Sequence, residues 1–148
     1  MRKWFSVLFV CAALIAFSSS VSAKVIIKMA NAGPDNPDNR SVKAIAIFKH
    51  NVEKRTQGAV EVRPYHARKL GDEREMMEGV RMGSIEMIFV SSGPIPGFFP
   101  PVMVFDIPYM FSSAPAAWEF FESDFGQKFA KSFLKKTGVR CLGITENG

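Results

Sequence analysis

Cysteine is almost missing from this chain of 148 residues. One of the two, Cys11, lies in an apolar leader, which leaves Cys141. A single thiol forms no internal disulfide, so a disulfide-stapled mini-fold is excluded. Cys141 sits in the apolar stretch Val139 to Ile144 and reads as a small buried hydrophobe. Histidine is equally sparse. His50 and His66 have no second ligand at metal spacing, and both read as surface residues. Blocks of five like charges are absent, and the net charge of +5 loses two with Arg2 and Lys3 of the leader. The concentrated basic stripe of a nucleic-acid surface is therefore lacking. Beyond the leader, no apolar run approaches the roughly 20 residues of a membrane-spanning helix. A G-x-S-x-G elbow, a Walker loop and a G-x-G-x-x-G turn are all missing. Ser91, His66 and Asp106 make a triad only on paper, since nothing in their spacing supports it. Asp72, Glu73 and Glu75 read as helix-start charges rather than an acid–base pair.

What is present begins with sorting. Met1-Arg2-Lys3 is basic, Trp4 to Phe17 is almost wholly apolar, and Ser18 to Ala23 is small-residue rich. That order is a secretory signal peptide, with cleavage expected after Ala23 and the working protein outside the cytoplasm. Cys11 lacks the Leu-small-small approach of a lipoprotein site. Residues 1–23 are thus set aside as signal, and residues 24–148 are long enough for one domain with a real core.

The remaining chain alternates strand and helix. Val25 to Ala30 is β-branched and apolar, and predicts a strand. Asn31 to Asn39 is a loop rich in Asn, Asp, Gly and Pro. Val42, Ile45, Phe48 and Val52 recur at helical spacing within Ser41 to Thr56. Val60 to Tyr65 predicts an edge strand, because Pro64 lacks a backbone donor. Asp72-x-x-Glu75 is a capping box opening a helix that runs to Gly83. Ile85 to Val90 predicts a third strand. Pro94 to Phe111 holds five of the nine prolines, so it is no long helix, and it is apolar enough to pack on the body. Helices follow near Ala114 to Ser123 and Phe125 to Lys136, then a last strand over Val139 to Ile144. This order predicts an α/β domain, a mostly parallel wound sheet with right-handed crossovers and flanking helices. Ligands of such sheets bind beyond the carboxyl ends of the strands. Four loop starts qualify: Asn31-Ala32-Gly33, Tyr65 to Glu73, Ser91-Ser92-Gly93 and Thr145-Glu146-Asn147. Met76, Met77, Met82 and Met87, with Phe98, Phe99, Phe105 and Phe111, read as core filling.

Blocks in a set order carry a resemblance. They are Ile27-Lys28-Met29-Ala30-Asn31, Val52 to Gly58, Val60-Glu61-Val62 with Tyr65, Leu70-Gly71-Asp72-Glu73-Arg74-Glu75, Gly83 to Met87, Asp106 to Phe111, and Gly138-Val139 leading to Leu142-Gly143. The chain from Lys24 onward resembles the DctP-type solute-binding proteins of TRAP transporters. The resemblance implies a periplasmic binding-protein fold of the second structural type, closing like a clamp on a small organic anion. It implies a carboxylate as cargo, membrane permease subunits as partners, a periplasmic location, no cofactor and no covalent chemistry. Carried over by position, Asn31, Glu73, Ser91 and Ser92 face the ligand, and Tyr109 packs. His66-Ala67-Arg68 replaces a more usual Pro-containing approach to Leu-Gly, and Arg68 offers a local cation. The family's chain is longer, with a second lobe, so this chain is expected to hold most of an N-terminal lobe and half of a cleft. Two other classes stand beside this one. A small secreted α/β hydrolase needs a nucleophile with a base. A partner-binding single lobe would leave Pro94 to Phe111 exposed as a patch.

Overall fold

The computed structural model describes residues 23–145; the expected signal peptide, and Glu146 and Asn147 of the fourth loop, lie outside the described residues. Three strands form one sheet: β1 (Val25–Asn31), β2 (Val60–Tyr65) and β3 (Met87–Phe89), in the order β2-β1-β3 and parallel throughout. Two helices make the crossovers, α1 (Arg40–Arg55) and α2 (Glu73–Met82). Two 3-10 segments follow, Ile95–Gly97 and Pro100–Asp106, and then α3 (Ala114–Glu122) and α4 (Asp124–Thr137).

The two-residue alternation of a strand decides which helix covers which face. Met29 of β1 and Val62 of β2 pack with Ile45 of α1, joined by Ile27, Phe48, Val52, Met87 and Phe89. Ala30, one step along β1, points the other way and packs with Met76 of α2 and Ile85. On the far side of α2, Met77 meets Phe99 and Phe133, so α4 and the 3-10 segments form a layer outside it. Phe99 meets Phe129 and Phe133 edge to face at 5.2 and 5.4 Å. Phe105 meets Phe121 and Phe129 at 4.8 Å, so these rings are core, as their composition suggests.

Local signals set the helix starts. Asn39 caps α1, its Oδ1 accepting from the Ser41 amide at 3.0 Å. Asp72 caps α2, accepting from the Arg74 and Glu75 amides at 2.8 Å, while the Asp72 amide donates to Glu75 Oε2 at 2.8 Å. Gly71 precedes this box with φ +104°, and a Cβ there would lie 2.7 Å from Glu75 Oε2. Pro64 sits in β2, on the outer side of the described sheet, where its missing donor costs no ladder bond.

Three expectations are corrected. Val139 to Ile144 is not a strand. Val139 and Cys141 pack sideways onto the α2–α4 cluster, while Leu142 is 68% exposed and no described strand lies alongside. The third strand starts at Met87 rather than Ile85. The amides of Ser84 and Ile85 both donate to Gly79 O, at 3.0 and 3.3 Å, and so close the end of α2 instead of a ladder. Glu86 then uses its carboxylate to accept from the Lys28 amide at 2.9 Å, standing in for strand pairing along β1. Tyr109 does not pack: it is fully exposed, with φ +61°, at a turn closed by the Met110 amide on Ile107 O at 3.3 Å.

Candidate functional site

Because the strands are parallel, their carboxyl ends share one rim. Ala30 pairs with Tyr65 on one side and Ile88 on the other, and Asn31 pairs with Phe89. The residues just beyond are therefore neighbours: Asn31 at the end of β1, His66 after β2, and Ser91 two positions after Phe89.

Asn31 is 1% exposed, and its amide is fully used. Its Nδ2 donates to Ser41 Oγ at 2.8 Å and its Oδ1 meets His66 Nδ1 at 2.7 Å. Ser41 Oγ donates in turn to Asn39 Oδ1 at 2.5 Å, so the network ends on the cap of α1. Gly33 lies over it; a Cβ there would stand 2.7 Å from Ser41 Oγ and 3.0 Å from Asn31 Nδ2. Two backbone bonds tie the β1 and β2 exits together, Ala67 N to Gly33 O at 2.8 Å and Arg68 N to Asn31 O at 3.3 Å. Ala67 and Arg68 hold φ of +54° and +59°. Two successive non-glycine residues in the left-handed region are sparsely populated and persist only where surroundings hold them.

Glu73 opens α2, and its carboxylate clasps the β3 exit. Ser91 donates its amide to Oε1 at 2.9 Å and its hydroxyl to Oε2 at 2.6 Å. Ser92 is exposed and donates to Asp106 Oδ1 at 2.9 Å, which joins the β3 exit to the second 3-10 segment. Thus Asn31, Glu73 and Ser91 lie on one rim, with Ser92 beside them, directed to Asp106. Arg68 is exposed on the same rim. Lys69 is engaged with Asp35 at 2.8 Å, and the Lys69 ammonium holds the Asp35 carboxyl below its usual range. An open depression of about 330 Å³ is lined by Glu78, Arg81, Met82 and Thr137. It lies toward the other end of α2 from Glu73 and takes no part in the rim.

His66 is the residue that sequence reasoning undervalued. It is half-buried rather than a plain surface histidine. Its position as the first residue after β2 was a usable signal, because the strand-end rule that selects Asn31 selects it too. The members of the paper triad go to separate partners: Ser91 to Glu73, His66 to Asn31 and Asp106 to Ser92. No helix among the described residues is long and apolar enough to cross a membrane. Nor is any described group of three His, Cys, Asp or Glu placed to hold a metal ion.

A wound parallel sheet with polar groups gathered at one rim, and no nucleophile paired with a base histidine there, is the build of a ligand-binding unit. Comparison with known proteins is specific. Residues 32–148 match the family described as bacterial extracellular solute-binding protein, family 7, also called DctP. The chain belongs to that family. A solute-binding protein of Verminephrobacter eiseniae is 39% identical over 105 residues, covering 71% of this chain and 31% of its own length. The C4-dicarboxylate-binding periplasmic protein DctP of Rhodobacter capsulatus is 30% identical over 131 residues, covering 87% of this chain and 38% of its own. The crystal structure of a TRAP periplasmic solute-binding protein from Polaromonas, bound to D-erythronate, superposes with a TM-score of 0.75 at 30% identity. That match covers 84% of this chain and 40% of the other. The fold is therefore that of the TRAP periplasmic binding proteins, and this chain spans between 31% and 40% of the length of these relatives. Family members are binding proteins of the periplasm rather than enzymes.

Proposed function

We propose that the rim formed by Asn31, Glu73, Ser91 and Ser92 is one jaw of a clamp that captures a small hydroxylated carboxylate outside the cytoplasm. Delivery to a TRAP-type membrane permease follows on this reading, and residues 24–148 form most of an N-terminal lobe behind a signal peptide. The observation that carries the proposal is the Glu73–Ser91 clasp on the same strand ends as Asn31. It leaves an acidic acceptor at the rim. A carboxylate accepts several hydrogen bonds but repels a second carboxylate. Ligand hydroxyls therefore belong against Glu73, and the ligand's acid group belongs toward the β2 exit, where Arg68 is exposed. This favours a sugar acid such as the D-erythronate named for the Polaromonas protein over a C4-dicarboxylate. Closure of the lobes would convert binding energy into a state the permease recognises.

Thermal stabilisation by added acids tests this. One open jaw leaves the ligand partly in water, so binding to this chain is expected to be millimolar. With ligand at its Kd, stability rises by about 0.4 kcal/mol. D-Erythronate should raise the melting temperature more than succinate does, and erythritol, which is uncharged, should not raise it. Equal effects of all three, or hydrolase turnover lost in Ser91→Ala, would overturn the reading.

A further inference from the structure

The hydrogen bonds from the α1 cap to His66 have only one consistent direction. The Ser41 amide must donate, so the Asn39 atom it meets at 3.0 Å is the carbonyl oxygen. Ser41 Oγ lies 2.5 Å from that same oxygen, so the one hydroxyl proton is spent there. Asn31 must then present its NH₂ group to Ser41 Oγ, at 2.8 Å, which turns its carbonyl toward the imidazole. At 2.7 Å from a carbonyl oxygen, His66 Nδ1 has to carry a proton. The imidazole tautomer is thus dictated by a helix cap, through a side chain that is 1% exposed. Nε2 is then left as the atom that titrates: an acceptor when the ring is neutral, a donor when it is charged.

We infer that His66 is a specificity-determining residue of the rim, meeting the acid group of the ligand through Nε2 and making capture stronger as pH falls. The inference rests on the proposed acid-binding function and adds a residue to it. The second support is the strained pair Ala67 and Arg68, which follows His66 and is bonded to Gly33 O and Asn31 O, fixing the backbone that carries the ring. The charged groups around the imidazole are few. Asp35, on the facing loop, is neutralised by Lys69 at 2.8 Å. Arg68 lies on its own loop, and Asp38 is paired with Lys43 of α1 at 3.3 Å. None of these pairs includes His66 as a partner. An incoming carboxylate therefore supplies the counter-charge that favours the imidazolium.

Two-dimensional ¹⁵N–¹H spectra of the imidazole, with D-erythronate titrated into the chain at pH 5.5 and pH 8, test this. The expected free state is the Nδ1–H tautomer, with a Kd at least threefold lower at pH 5.5. His66→Gln should abolish the pH dependence while leaving Nδ2-type donation to Asn31 possible, and His66→Phe should weaken binding at both pH values. A neutral Nε2–H tautomer, or a Kd equal at the two pH values with backbone amides of Asn31 and Ser91 still shifting, would overturn the inference and leave the acid-binding reading standing. Absence of any shift at Asn31 and Ser91 would instead overturn the reading beneath it.

Discussion

Replacing Asn31 by alanine separates a structural network from a decorative one. The side chain is 1% exposed and makes two hydrogen bonds, to Ser41 Oγ at 2.8 Å and His66 Nδ1 at 2.7 Å. Each such bond contributes about 1 kcal/mol net. Both partners are only half-buried, so water reaches part of what Asn31→Ala abandons and the larger penalty for orphaned groups is not paid in full. A loss of about 2–3 kcal/mol follows. For a chain of this size 1 kcal/mol moves the melting temperature by roughly 4 °C, which gives a fall of about 8–12 °C. Urea unfolding of the two proteins measures it, with an unchanged slope showing that the unfolded state is not altered. Pairing Asn31→Ala with His66→Ala should give a double mutant less unstable than the sum, with coupling of at least ~0.5 kcal/mol. A single-mutant effect below ~0.5 kcal/mol, or strict additivity, would refute the reasoning that Asn31 holds His66.

Gly71→Ala should cost more than about 1 kcal/mol, because φ of +104° disfavours a side chain and the new Cβ displaces the Glu75 carboxylate from the capping box; a melting temperature unchanged in thermal scans would contradict this. Tyr109→Gly should be neutral or mildly stabilising in the same scans, since the ring touches solvent on all sides and φ is +61°; a clear loss would show that Tyr109 has a packing role after all. Acid should weaken the start of the β1–β2 pair. The Arg63 guanidinium, hydrogen-bonded at 2.7 Å, and then the Lys24 ammonium at 3.0 Å lower the Glu61 carboxyl from its usual 4.5 to about 2. A carboxyl lowered by folding contributes its stabilisation fully above pH 4.5 and loses it as pH falls toward 2. The urea midpoint of Glu61→Gln should therefore lie slightly below that of the parent at pH 6 and converge with it near pH 2; a constant gap would contradict the assignment.

The parts of the fold that were legible are those written locally. Asn39, Asp72 and Glu75 sit at helix starts, and α1, β2 and α2 fall within a residue or so of their sequence-predicted bounds. The parts that were not legible depend on residues far away in the chain. Val139 to Ile144 has a strand's composition, but a strand exists only beside another, and Val139 and Cys141 find helix side chains instead. Ile85 has the same composition and is taken by the closure of α2 on Gly79. At the rim, Asn31, Glu73 and Ser91 were readable from the strand-end rule. The role of His66 was not, since its partner lies 35 positions earlier. The proline-dense segment divides. Phe99 and Phe105 join the core as expected, whereas Met103, Ile107 and Tyr109 stand 58%, 54% and 100% exposed. Prolines prevent a regular helix there, so successive side chains do not share one inward face.

Residue-resolved titration of the chain with D-erythronate is the most direct test of the rim as an acid-gripping jaw. The amide signals of Asn31, Glu73 and Ser91 should move together along one saturating curve, while those lining the depression at Glu78 and Thr137 stay still. Movement centred on Glu78 and Thr137, or equal movement at the rim with uncharged erythritol, would contradict the account.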